Sequence, residues 1–211
     1  MSEPRGGRAP LRGLYAVTPD EADTARLLAC TERVLAGHPV LLQYRNKAAD
    51  AALRRVQARA LQAMCRRAGV PFIINDDLAL ALELDADGAH LGRDDGSPAA
   101  ARQALGAGRI LGLTCYADWA RAVEGAAVGA DYIAFGAMFP SRTKPNAPPA
   151  PFELIARARR ELGLPVAAIG GITLDNAAQV LAAGADLLAV VNDVFGATDP
   201  AVRAAAYRSL F

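Results

Sequence analysis

Apolar runs of four or five residues recur along the chain, each broken by polar residues or glycine and followed by a stretch with helical spacing. The sharpest is Phe72-Ile73-Ile74, large and largely β-branched, which predicts a buried strand. It stops on Asn75-Asp76-Asp77, and Leu78 to Leu82 then reads as a helix. Upstream, Leu14 to Val17 predicts a strand ending in Thr18-Pro19-Asp20. Ala22 to Ala36 follows as a helix with Ala25, Leu28, Ala29, Val34 and Leu35 inward, closed by Gly37. Val40 to Lys47 predicts the next strand; its second half alternates, with Gln43, Arg45 and Lys47 on one face and Tyr44 and Asn46 on the other. Ala51 to Ala68 is an amphipathic helix with Leu53, Val56, Ala60, Leu61, Met64 and Cys65 inward and its arginines mostly outward.

Beyond the central strand the alternation continues. Asp87 to Gly92 predicts a fourth strand ending in Arg93-Asp94-Asp95, and Ser97-Pro98 opens a helix as cap and first residue. Strands are predicted at Ile110–Thr114, Tyr132–Gly136, Pro165–Ile169 and Leu187–Val191. Helices are predicted at Trp119–Val128, Pro151–Leu162, from Thr173 to Ala183, and after Asp199-Pro200. Ala137 to Pro149 is long and proline-rich, the pattern of a lid or binding loop. Ala86-Asp87-Gly88, Gly129-Ala130-Asp131 and Gly184-Ala185-Asp186 echo one another just before strands. Eight strand-then-helix units of about 26 residues imply a parallel sheet, and their number implies a closed (β/α)8 TIM barrel, with an open doubly wound sheet as the alternative.

Composition narrows the function. A 211-residue chain that is 53% hydrophobic buries a large core. A net charge of +1 and few aromatic residues argue against a nucleic-acid surface. The three cysteines, Cys30, Cys65 and Cys115, lack ligand-like spacing and suggest reduced thiols in a cytoplasmic protein. Met1 to Pro10 lacks the apolar segment of a signal peptide and reads as a flexible tail (1–10) ahead of the catalytic barrel (11–211). No run approaches the roughly 20 apolar residues of a membrane span, so no membrane partner is expected. The oligomeric state stays open, a homo-oligomer included.

In a barrel all strand ends face one mouth. Gln43, Arg45, Lys47, Asn75, Asp76, Asp77, Asp94, Asp95 and Thr114 would meet there, with Ser141, Thr143 and Lys144 from the long loop. Acids beside cations suggest a diphosphate held jointly by Mg²⁺ and basic side chains; the simpler reading makes one Asp of the Asp76-Asp77 pair a helix cap and the other a solvated charge. Gly170-Gly171 and Val191-Asn192 close strands seven and eight, where such barrels commonly bind phosphate. Two anion subsites imply two phosphorylated substrates, or one with phosphate at both ends. Neither His38 nor His90 has an orienting partner nearby in sequence, and His90 reads as a packed barrel residue.

The motifs Gln43-Tyr44-Arg45-Asn46-Lys47, Asn75-Asp76-Asp77, Ala86 to Gly92, Ser141-Arg142-Thr143-Lys144-Pro145 and Ala168 to Ile172 resemble thiamine phosphate synthases, from about Leu14 onward. The resemblance implies a transferase of thiamine biosynthesis. It would condense 4-amino-2-methyl-5-hydroxymethylpyrimidine diphosphate with a 4-methyl-5-hydroxyethylthiazole phosphate, releasing pyrophosphate. It further implies Asp76 and Asp95 as Mg²⁺ ligands. Gln43, Arg45, Lys47, Asn75, Thr114 and Lys144 would contact the pyrimidine diphosphate, with Lys144, Arg45 and Thr114 in catalytic roles. Ser141, Thr143, Gly171, Val191 and Asn192 would hold the thiazole phosphate. Three positions depart from the family pattern: Arg93-Asp94 where Gln-Glu is usual, Thr114 for Ser, and Asn192 for Ser. The rivals are a thiazole tautomerase-like relative, a sugar-phosphate isomerase barrel and a non-catalytic barrel that binds thiamine precursors.

Overall fold

The structure is a computed structural model that describes residues 11–140 and 148–211. The N-terminal segment predicted as a tail lies outside the described residues. Eight parallel strands pair in sequence order, β1 (Gly13–Val17), β2 (Leu41–Tyr44), β3 (Phe72–Asn75), β4 (Gly88–Leu91), β5 (Ile110–Tyr116), β6 (Tyr132–Phe135), β7 (Val166–Ile169) and β8 (Leu187–Val190). The first and last close the ring, with Gly13 opposite Leu187 and Ala16 opposite Val190. Closure rules out the open sheet and leaves β2 paired on both sides, with β1 and β3.

The helices between them are α1 (Thr24–Ala36), α2 (Ala51–Ala68), α3 (Leu78–Glu83), α4 (Pro98–Leu105), α5 (Trp119–Val128), α6 (Glu153–Glu161) and α7 (Ala177–Ala182). A four-residue α8 (Asn192–Phe195) and the terminal α9 (Pro200–Arg208) follow β8. Their starts obey local chemistry: Asp23, Asp50, Asp77, Ser97, Asp118 and Asp199 each accept a backbone N–H in the first turn of the helix they precede.

Two apolar layers result. One lies between strands and helices; the other fills the barrel, where Tyr15, Val17, Leu41, Ile73, Ile110, Tyr132, Ala134, Ala167, Leu187 and Ala189 pack together. Gly112 makes room for the Tyr132 ring, into which a Cβ at 112 would run. The predicted helix faces need correction. Val56 is 59% exposed, and the inner face of α2 instead carries Gln57 and Gln62 beside Ala58, Leu61 and Cys65. Those amides are satisfied: Gln57 accepts from Tyr44 Oη (2.8 Å), and Gln62 donates to the Leu84 carbonyl (2.8 Å). In α1, Leu27 and Thr31 take the buried places expected of Ala25 and Ala29.

The three echoed aspartates do one job. Asp87 accepts the Phe72 N–H at the start of β3 (2.8 Å), Asp131 the Leu111 N–H in β5 (2.8 Å), and Asp186 the Val166 N–H in β7 (3.0 Å). Each ties the strand that follows it to the strand before, so three consecutive strand pairs are pinned at the foot of the barrel.

Candidate active site

The strand ends open into a cavity of about 610 Å³. Its wall includes Gln43, Arg45, Lys47, Asn75, Asp76, Asp94, Asp95, Thr114, Gly171, Val191 and Asn192. These eleven were expected at one mouth from sequence. Ser141, Thr143 and Lys144 lie outside the described residues.

On one side sit the acids. Asp76 and Asp77 split their roles: Asp77 caps α3, accepting the Leu80 N–H at 2.9 Å, whereas Asp76 turns into the cavity. Asp76 has φ +62°, a left-handed conformation that Asp and Asn tolerate better than most residues. Its N–H donates to the His90 carbonyl (2.8 Å), and its Oδ2 pairs with Lys47 Nζ (2.8 Å). Asp95 Oδ2 accepts the Gly92 N–H at 2.7 Å. A Cβ on Gly92 would lie 2.8 Å from Asp95 Oδ2 and 3.9 Å from Asp76 Oδ1, so the glycine keeps the space between the carboxylates open. Burial, then the hydrogen bond with Asp76, pushes Asp95 above its usual range; burial also presses Asp76 upward, but Lys47 and the hydrogen bond with Asp95 together hold that carboxyl low. Two neighbouring carboxylates driven apart in this way repel one another, and a cation between them would relieve that repulsion. Among the described residues no three His, Cys, Asp or Glu side chains gather to hold a metal. An open pair of carboxylates nonetheless suits Mg²⁺, which completes its shell with water and substrate phosphate.

The cations beside them are held in place. β2 ends at Tyr44, yet the alternation of its sequence persists: Arg45 and Lys47 face the cavity while Tyr44 and Asn46 are buried behind it. Arg45 Nη1 lies 3.0 Å from both Asp20 oxygens, and the Lys47 N–H donates to Asp20 Oδ1 (2.6 Å). Asp20 was therefore a missed part of the site; its signal was its place just past β1. Arg121 was missed as well. It ties the ends of β4 and β5 by donating to the Gly92 and Thr114 carbonyls (2.5 and 2.7 Å), and an arginine inside a helical pattern gives no hint of that. Arg93, the departure from the family pattern, pairs with Asp118 (3.2 Å) and lies 5.3 Å from the Tyr116 ring centroid.

The opposite wall is made of backbone. Gly170 and Gly171 have φ of +100° and +63°, and a Cβ on Gly171 would strike the Pro140 carbonyl oxygen. Asn176 holds this turn, accepting the Thr173 N–H and donating to the Gly171 carbonyl, both at 2.9 Å. α8, unforeseen because four residues leave no periodicity, begins at Asn192.

His90 corrects the sequence reading. It is buried as expected, but it does have partners, Tyr132 Oη at 2.9 Å and Thr114 Oγ1 at 2.6 Å. Both come from other strands, out of reach of a search along the chain. Of the thiols, Cys65 and Cys115 are buried and pushed up to about 12, so neither is a nucleophile.

A family model described as thiamine monophosphate synthase matches residues 14–194. A thiamine-phosphate synthase of Aromatoleum aromaticum is 69% identical over 201 residues, covering 95% of this chain and 97% of the relative. One of Azoarcus sp. is 63% identical, covering 95% and 98%. Among solved structures, thiamine phosphate pyrophosphorylase from Pyrococcus furiosus superposes with a TM-score of 0.83 at 28% identity, covering 95% of this chain and 96% of that one.

Proposed function

The chain belongs to the thiamine monophosphate synthase family, and from that premise we propose how its residues divide the work of the reaction. That reaction is the transferase step joining the pyrimidine of 4-amino-2-methyl-5-hydroxymethylpyrimidine diphosphate to a 4-methyl-5-hydroxyethylthiazole phosphate, with loss of pyrophosphate. Arg45, Lys47 and Asn75 receive the diphosphate, and Gln43 and Thr114 the pyrimidine. Gly171, Val191 and Asn192 take the thiazole phosphate. The resemblance adds Lys144 to the first group and Ser141 and Thr143 to the last. One observation carries this division: carboxylates and cations line one side of a single cavity, and a glycine-rich backbone turn lines the other.

Asp76 and Asp95 would hold Mg²⁺, whose charge would stabilise the departing diphosphate. The chain's own residues do the rest. Arg45 and Lys47, already oriented by Asp20 and Asp76, lose less freedom than unpaired side chains would when a diphosphate arrives, Arg45 least because it is the more buried of the two. The described residues offer no thiolate to attack carbon, so the cavity serves to stabilise departing negative charge. The pyrimidine methylene leaves as a cation supported by its ring amine, and the thiazole nitrogen captures it.

A tautomerase needs no diphosphate site, so Asp76, Asp95 and Arg45 would be without purpose there. The test is single-turnover kinetics with both substrates, following pyrophosphate release over a Mg²⁺ titration and repeated with a fluorinated pyrimidine. Mg²⁺-dependent release that slows with fluorine is expected. A rate unchanged or raised by fluorine, with chemistry limiting, refutes the dissociative route.

A further inference from the structure

From the cavity wall, hydrogen bonds run without a break through the barrel interior and back. Gln43 Nε2 donates to Tyr15 Oη (2.5 Å), Tyr15 Oη meets Tyr132 Oη (2.6 Å), Tyr132 Oη meets His90 Nδ1 (2.9 Å), and His90 Nε2 meets Thr114 Oγ1 (2.6 Å). Both phenols are buried and outside the cavity lining, whereas Gln43, Thr114 and the largely buried His90 between them reach the cavity. The four bonds join β2, β1, β6, β4 and β5.

We propose that Tyr15, Tyr132 and His90 are positioning residues that fix the hydrogen-bonding sense of Gln43 and Thr114, making Gln43 an acceptor and Thr114 a donor toward the pyrimidine ring. The inference rests on the reading that these two residues contact that ring.

The sense follows from counting protons. Gln43 gives an N–H to Tyr15, so the Tyr15 hydroxyl must spend its own proton elsewhere, and its other partner is Tyr132. Tyr132 then passes its proton to His90 Nδ1, which must accept. The ring's single proton therefore sits on Nε2 and is donated to Thr114 Oγ1, leaving the Thr114 O–H to point outward. The reverse sense would require the Gln43 amide to be turned over, with Oε1 accepting the Tyr15 O–H and Nε2 facing the cavity; with Nε2 on Tyr15, the chain runs toward Thr114. Burial keeps both phenols protonated, so each has a proton to pass. At the cavity, Gln43 has Oε1 to offer and Thr114 its proton. A ring edge with an N–H donor at one point and a nitrogen acceptor at another, as in an aminopyrimidine, matches both; an oxopyrimidine edge inverts the pattern. Sites that hydrogen-bond a substrate group reject analogues that leave the site unpaired.

Two measurements test this. The chain has two histidines, so ¹⁵N-histidine NMR of the ligand-free protein shows two rings, and a His38→Asn variant assigns them. His90 is expected with its proton on Nε2; a proton on Nδ1, or on both nitrogens, overturns the proposal. The second measurement is steady-state kinetics of Tyr15→Phe and Tyr132→Phe, which keep the rings. The KM for the pyrimidine diphosphate should rise about tenfold, the scale of one hydrogen bond, with the KM for the thiazole phosphate unchanged. Preference for the amino over the oxo ring should fall as well. Equal rises in both KM values, or no loss of preference, overturns the proposal. If wild-type protein fails to discriminate the two rings while His90 carries its proton on Nε2, the reading of Gln43 and Thr114 as ring contacts is what fails.

Discussion

Asp76→Asn separates charge from architecture. The substitution keeps size, and Asn also tolerates φ near +62°, so the backbone need not move. The N–H donated to the His90 carbonyl is untouched. What is lost is the pair with Lys47, whose two side chains are 54% and 25% exposed; at that exposure it contributes at most about 1 kcal/mol. For a chain of this size, that is a melting shift of about 2–4 °C. Turnover should respond on another scale. Removing a charged Mg²⁺ ligand forfeits several kcal/mol of charge stabilisation, a loss of ~10³-fold or more. The assay is pyrophosphate release against Mg²⁺ concentration, with a thermal melt of the same sample. Asp76→Ala should lose similar activity and melt lower still, since Ala resists the left-handed backbone by ~1–2 kcal/mol. Asp77→Asn, one residue on, caps α3 and should keep activity within about threefold, because Asn caps nearly as well. Near-normal turnover by Asp76→Asn at limiting Mg²⁺ would refute the metal assignment. A large fall in melting temperature would instead make Asp76 a structural residue.

Gly171→Ala should melt lower as well as weaken thiazole phosphate binding, because the added methyl meets the protein's own Pro140 carbonyl before any ligand; unchanged melting with a raised KM would show that the loop yields freely. Lys144→Ala should slow the chemical step by ~10²–10³-fold, the effect of losing one preorganised stabilising group, and single-turnover rates near wild type would remove that residue from the reaction. Asp199→Ala should lower the melting temperature at neutral pH. The Val202 N–H and then Arg33 hold that carboxyl below its usual range, so its contribution is present above the unfolded carboxylate pKa and lost as pH falls through the lowered one. The two melting curves should therefore converge in acid, and a gap that persists there would contradict the assignment.

Order and type of the eight units are legible in the sequence because a buried strand followed by a capped helix leaves a strong local signal, repeated at even spacing. Cavity residues are legible for the same reason: they stand at strand ends, and the barrel sends every strand end to one mouth. What is hidden is what depends on partners far along the chain. Nothing near Asp76 and Asp77 says which of them caps and which faces the cavity. Val56 fits the helical stripe, yet Gln57 and Gln62 are drawn inward by groups on other segments, Tyr44 and the Leu84 carbonyl. His90 looks partnerless because its partners stand 42 and 24 positions away.

The pinned strand pairs bear on where this chain tolerates being opened. Asp87, Asp131 and Asp186 each bind the second strand of a pair to the first, and Asp131 also takes Arg102 of α4 (2.5 Å), so its side chain holds that helix against β5. The turn at 106–108 between α4 and β5 is exposed, and a Cβ at Gly106 or Gly108 would meet nothing; Arg102 spans it by donating to the Gly106 and Arg109 carbonyls (2.6 and 2.9 Å), a tie that does not need the chain between them. The Arg12 guanidinium lies 5.8 Å from the Phe211 ring centroid, so the two ends of the described barrel are neighbours. A circular permutant that links those ends and begins at Gly108 keeps every pair covalently whole, whereas one opened between β3 and β4 divides a pair. Three of the four successive strand pairs are in this sense modules, and the units of recombination in that part of the barrel are pairs rather than single strands.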